Sequence, residues 1–118
     1  MLFGAAALPL AGCAKAGEAP TSATPAAGQV LAAVADVPVG SGTIIDDTLI
    51  TQPSAGVFEG FVARCTHAGC ALGLRDGKAV CPCHGSRFNL DGTVARGPAT
   101  QTLTTRAVTV RGGQILAG

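Results

Sequence analysis

Two short stretches decide how this chain is read: Cys65-Thr66-His67-Ala68-Gly69-Cys70 and Cys81-Pro82-Cys83-His84-Gly85-Ser86. Together they hold four of the five cysteines and both histidines of a 118-residue protein. The remaining Cys13 lies beside an apolar N-terminus, so no imidazole and no other thiol is spare for ordinary core packing. Each stretch offers one Cys–His pair and a second Cys, and each follows a segment of strand character. Two like loops at the ends of neighbouring strands can clasp one compact centre between them.

Outward from these stretches the pattern is β. From Val30 on, short β-branched segments alternate with turn residues every 8 to 12 positions, the spacing of a small all-β sandwich or barrel. Strands are expected at 31–34, 43–45, 49–51, 57–63, 78–81, 86–89, 94–96, 106–110 and 115–117. Asp76-Gly77, Asp91-Gly92 and Gly112-Gly113 supply hairpin turns, because these residues reach positive φ at little cost. Gly40-Ser41-Gly42 lacks the third glycine and the following helix of a dinucleotide loop and is read as a turn. No segment keeps helical periodicity over three turns. The fold class is therefore all-β, a small antiparallel sandwich or barrel with the two Cys/His loops as a subdomain.

Composition excludes several functions. The net charge is +1, from 8 basic and 7 acidic side chains. No basic stripe exists to neutralise phosphates, so nucleic acid is not a partner. With four Phe and no Trp or Tyr, the core is small and calls for a covalent or metal staple. The chain has no room for a second catalytic domain.

Three chemistries compete for the six Cys and His residues of the loops. A zinc site would use four of them and leave two over. A four-cysteine [2Fe–2S] cluster would leave both histidines without a role. Two Cys on one iron and two His on the other, with the last Cys pair as a disulfide, would employ all six. Spacing alone does not say which Cys of each loop is the ligand.

The intact boxes C-T-H-x-G-C and C-P-C-H-G-S resemble those of the Rieske iron–sulfur proteins, over residues 30–118. The resemblance implies one [2Fe–2S] cluster, held by Cys65 and Cys81 on the inner iron and by His67 and His84 on the outer one. It implies a Cys70–Cys83 disulfide between the loops. Neutral imidazoles add no negative charge, so such centres have potentials of about −150 to +300 mV, against about −400 mV for plant-type four-cysteine clusters. Ser86 stands where the family has a serine whose hydroxyl donates to a cluster sulfur. Phe88 stands where high-potential members carry a tyrosine, and Ala68 where many quinol oxidisers have leucine. Gly97-Pro98-Ala99 resembles the family's proline loop.

The activity implied is one-electron transfer, by a redox subunit that is not an enzyme alone. The strongest analogue is the iron–sulfur subunit of a cytochrome bc1-type complex. There His84 would meet the quinol, a quinol or cytochrome b-type partner would be the donor, and a cytochrome c-type haem the acceptor. A stand-alone lipoprotein carrier is the alternative, or a Rieske ferredoxin of an oxygenase, although those ferredoxins lack the extra Cys pair.

Residues 1–12 are apolar or small and carry no charge. As a helix they would span about 18 Å, too short for a bilayer core of about 30 Å but suited to an export signal. Leu10-Ala11-Gly12-Cys13 resembles a bacterial lipobox, which implies acylation of Cys13 and a lipid anchor at the outer face of the cytoplasmic membrane. No basic segment precedes the apolar stretch, the first cation being Lys15, so an upstream basic segment is expected. Residues 13–29 are rich in Ala, Pro, Ser and Thr and are read as a tether, with residues 30–118 as the domain.

Overall fold

The computed structural model describes residues 24–118. Among the described residues, ten strands form three antiparallel sheets. The first joins β1 (Val30–Ala33), β10 (Gln114–Ala117) and β9 (Val108–Arg111), in that order. The second runs β2 (Ser41–Ile45), β3 (Thr48–Ser54), β4 (Val57–Val62). The third runs β5 (Gly73–Arg75), β6 (Lys78–Val80), β7 (Arg87–Phe88), β8 (Val94–Arg96). Among the described residues the one helical element is a single 3-10 turn, Val34–Asp36. The all-β expectation therefore holds, and all three expected hairpin turns join consecutive strands.

β3 is the wall between two cores, and its sequence shows why. Side chains alternate across a strand, so Leu49 and Ile50, both fully buried, point to opposite sides. Leu49 packs with Phe61, Phe88, Leu72, Leu103 and the loop cysteines Cys65 and Cys81. Ile50 packs with Leu31, Val37 and Ile115. Each such side chain contributes about 1.5–3 kcal/mol by leaving water. The polar residues of β3 are buried with partners: the Thr51 hydroxyl donates to the Leu90 carbonyl at 2.7 Å, and the Thr48 hydroxyl accepts from Arg106 at 2.8 Å.

Four local readings shift. β5 was not among the expected strands, since Gly73-Leu74-Arg75 carries a single apolar residue. Ser41 and Gly42 belong to β2 rather than to a turn. The strand expected at 106–110 starts only at Val108, while Thr105 forms an isolated bridge with Phe61. Pairing with the C-terminal strand begins at Gly28, whose N–H donates to the Ala117 carbonyl at 2.7 Å.

Candidate metal centre

The first loop follows β4 and the second follows β6. These strands lie in different sheets, so the loops are not at the ends of sheet neighbours, as the sequence suggested. They are nonetheless built alike. In the first, Cys65 N–H donates to the Cys70 carbonyl and Gly69 N–H to the Cys65 carbonyl, both at 2.8 Å. In the second, Cys81 N–H donates to the Ser86 carbonyl at 2.8 Å and Gly85 N–H to the Cys81 carbonyl at 2.9 Å. The fifth residue of each loop has φ near +80° (Gly69 75°, Gly85 81°), a left-handed conformation that glycine adopts without a Cβ penalty. The two boxes thus make the same five-residue turn with a Cys at its base.

The chemistry is layered by depth. Cys65 and Cys81 are free thiols, buried at 2% and 0% exposure. His67 and His84 are exposed, with ring centroids 4.9 Å apart at an interplanar angle of 87°. Cys70 and Cys83 form a disulfide, with Cα atoms 6.5 Å apart, which locks one loop to the other. The sulfurs of Cys70, Cys81 and Cys83 lie within 4.8 Å of one another. Two of these are bonded together, so Cys81 alone of the three remains a thiolate donor. Burial opposes ionisation of Cys65, but the N–H groups of His67 and Ala68, with the Cys81 thiol and the Ser86 hydroxyl, outweigh it and hold that thiol below its ordinary value.

A third segment closes over the loops. Ser86 is fully buried, and its Oγ accepts from Ala99 N–H at 3.0 Å, which leaves the hydroxyl hydrogen for the Cys65 sulfur. The Thr66 hydroxyl donates to the Gln101 carbonyl at 2.7 Å. Residues 97–101 are therefore tied to both loops, with Pro98 exposed and the Gly97–Pro98 peptide cis. Phe88 is fully buried in the core behind Cys65 and Cys81, while Ala68 is exposed. Arg64 braces the first loop, its Nε 3.1 Å from an Asp47 carboxylate oxygen and its Nη1 donating to the Gly69 carbonyl at 3.3 Å.

Every site residue expected from the sequence between Cys65 and Pro98 thus lies in one region. Cys13 and the apolar segment 1–12 fall outside the described residues. The Arg64 brace and the Thr66–Gln101 link were not anticipated; neither has a sequence signal, because each depends on a partner in a separate loop or turn. The donor set fits an iron–sulfur centre. Two soft thiols sit inside and two imidazoles outside, each pair contributed symmetrically by two matched turns. The four-cysteine [2Fe–2S] cluster is excluded, since the disulfide consumes two of the four loop cysteines.

Comparison with known proteins agrees with this geometry. The family model of the Rieske [2Fe-2S] domain matches residues 27–107. The cytochrome b6-f complex iron-sulfur subunit of Prochlorococcus marinus is 39% identical over 71 residues, covering 58% of this chain and 40% of the relative. Subunit 1 of that kind from Synechocystis is 48% identical over 58 residues, covering 48% of this chain and 33% of the relative. The chain thus spans less than half the length of these curated relatives. Among solved structures, the plasma membrane Rieske protein PetC3 of Synechocystis superposes with a TM-score of 0.57 at 36% identity, covering 60% of this chain and 75% of that one. The ferredoxin of carbazole 1,9a-dioxygenase from Nocardioides aromaticivorans shares the fold, with a TM-score of 0.63 at 20% identity over 79% of this chain and 98% of that one. By sequence, fold and donor set the chain belongs to the Rieske [2Fe–2S] domain family, whose members carry one [2Fe–2S] cluster and transfer electrons.

Proposed function

We propose that the protein works as the electron-transfer subunit of a bc1-type quinol:cytochrome c oxidoreductase, at the outer face of a bacterial cytoplasmic membrane. The observation that carries this reading is the pairing of a Cys70–Cys83 disulfide with two exposed histidines at the tip of the loops. A structural disulfide persists outside the reducing cytosol, which accords with an export signal and a lipid-bearing Cys13. The identity to b6-f subunits supports a complex of this kind. The Cys pair also weighs against an oxygenase ferredoxin. A stand-alone carrier would use the same site without the complex.

When bound, the cluster accepts and releases one electron. The rest is done by the chain. Cys65 and Cys81 would hold the group from the buried side, where Leu72, Phe88 and Leu103 keep water out. His67 and His84, both exposed, would hold its outer side. In this reading the exposed His84 is the residue that would meet a quinol hydroxyl and take its proton. Ser86 supplies one hydroxyl donor behind Cys65, and Phe88 withholds a second.

The test is a redox titration of the full chain, with cell fractionation. A one-electron Nernst curve between about −150 and +300 mV is expected, with the protein in the membrane fraction and released from it by Cys13→Ser. A potential near −400 mV would contradict the ligand assignment. A Cys13→Ser protein that stays membrane-bound would contradict the lipid anchor.

A further inference from the structure

The inward face of the third sheet is apolar: Leu74, Ala79, Phe88 and Val94 are aligned across its four strands and pack into the loop-bearing core. Alternation therefore sends Arg75, Lys78 and Arg87 to the other face, and the register shift between Arg87 and Phe88 sets Arg96 of β8 opposite Arg87, so that it joins them. There the register sets Arg75 opposite Lys78 and Arg87 opposite Arg96. Like charges directly opposite one another destabilise a sheet. Among the described residues the single ion pair is Arg64–Asp47, so none of the four has a carboxylate at bonding distance. Half of the chain's 8 basic residues thus gather on one sheet face of a protein whose net charge is only +1.

We propose that this face docks the acidic surface of a redox partner protein. The inference rests on the electron-transfer reading and adds where a partner sits. Arg87 directly follows Ser86 of the second loop, and Arg96 directly precedes Gly97-Pro98. Both cations thus join directly to segments of the site, the second loop and the covering segment, and a partner seated on them would lie at its edge. Three of the four cations are arginines, whose planar fork matches carboxylates. The face has no aromatic or long aliphatic side chain to enter a bilayer, only the half-buried Val80, which favours a protein over a lipid surface. Such a field speeds encounter more than it tightens binding, as suits a transient carrier.

The experiment is stopped-flow oxidation of the reduced, cluster-loaded full chain by two c-type cytochromes, one with an acidic surface and one with a basic surface. Wild type is compared with the Arg75→Gln/Lys78→Gln/Arg87→Gln/Arg96→Gln variant across ionic strength. The wild-type rate with the acidic cytochrome should fall as salt rises. At low salt the variant should lose on the order of tenfold with that cytochrome alone. Its cluster spectrum should be unchanged, and its unfolding midpoint equal or higher, because the like-charge pairs are gone. If the quadruple variant does not load its cluster, Arg75→Gln/Lys78→Gln, at the end of the sheet away from the loops, should show the same selective loss in smaller measure. Equal losses with both cytochromes, or no loss, would overturn the proposal. So would phosphatidylglycerol vesicles that bind wild type but not the variant while the rates stay equal. A wild type without a [2Fe–2S] spectrum would sink the electron-transfer reading itself, whereas a normal spectrum with salt-independent rates sinks only the docking face.

Discussion

Ser86 does two jobs with one oxygen. It accepts from Ala99 N–H and offers its hydrogen to the Cys65 sulfur. Ser86→Ala should therefore fail twice. The potential should fall by on the order of 50 mV, the one-electron equivalent of about 1 kcal/mol. Stability should fall by about 1–3 kcal/mol, because the buried Ala99 N–H loses its acceptor. Voltammetry and chemical denaturation measure the two separately. Phe88→Tyr should move the potential upward by adding the hydroxyl that Phe88 lacks. A second residue sets an acid limit. The Thr93 hydroxyl and N–H, 2.6 and 3.0 Å from an Asp91 carboxylate oxygen, hold that carboxyl below the usual carboxylate range. A lowered folded-state value means that the turn's contribution is complete above the ordinary carboxylate range and disappears as pH falls through the lowered one. Thr93→Ala should return the Asp91 titration, followed by NMR, toward the ordinary value and flatten the acid limb.

At the scale of elements, the centre is two matched turns, a disulfide and a covering segment. The disulfide closes a loop of about 14 residues, worth about 3 kcal/mol in the chain-entropy model. Cys70→Ser/Cys83→Ser should lower the unfolding midpoint and speed loss of the iron–sulfur absorbance on warming. Native-state alkylation should label neither cysteine until reductant is added. The turns were legible because cysteine, histidine and positive-φ glycine occur in a fixed local order. β5 was not, since a three-residue strand with one inward Leu74 has no readable period. The Ser41–Gly42 start of β2 was also hidden. Its residues are half-buried, and two glycines around one serine read locally as a turn. Thr66, Ser86 and Arg64 find their partners 35, 13 and 17 residues away in sequence, a separation that no local pattern encodes.

For the molecule as a whole, β3 divides the structure into one core that carries the loops and another that carries the terminal strands. The division was legible only in part. Apolar and β-branched runs marked most of the strands, but which core each side chain entered depended on a three-sheet arrangement that alternation alone does not specify. The chemistry rests on two buried thiols and two exposed imidazoles that would together hold a diiron cluster. Iron, sulfide and zinc analysis of the full chain, combined with pulsed EPR of the reduced state in histidine-labelled protein, tests it directly. Two irons, two labile sulfides and two histidine nitrogen couplings are expected, with one coupling lost in each of His67→Cys and His84→Cys. Stoichiometric zinc without labile sulfide, or a cluster signal without histidine coupling, would contradict it.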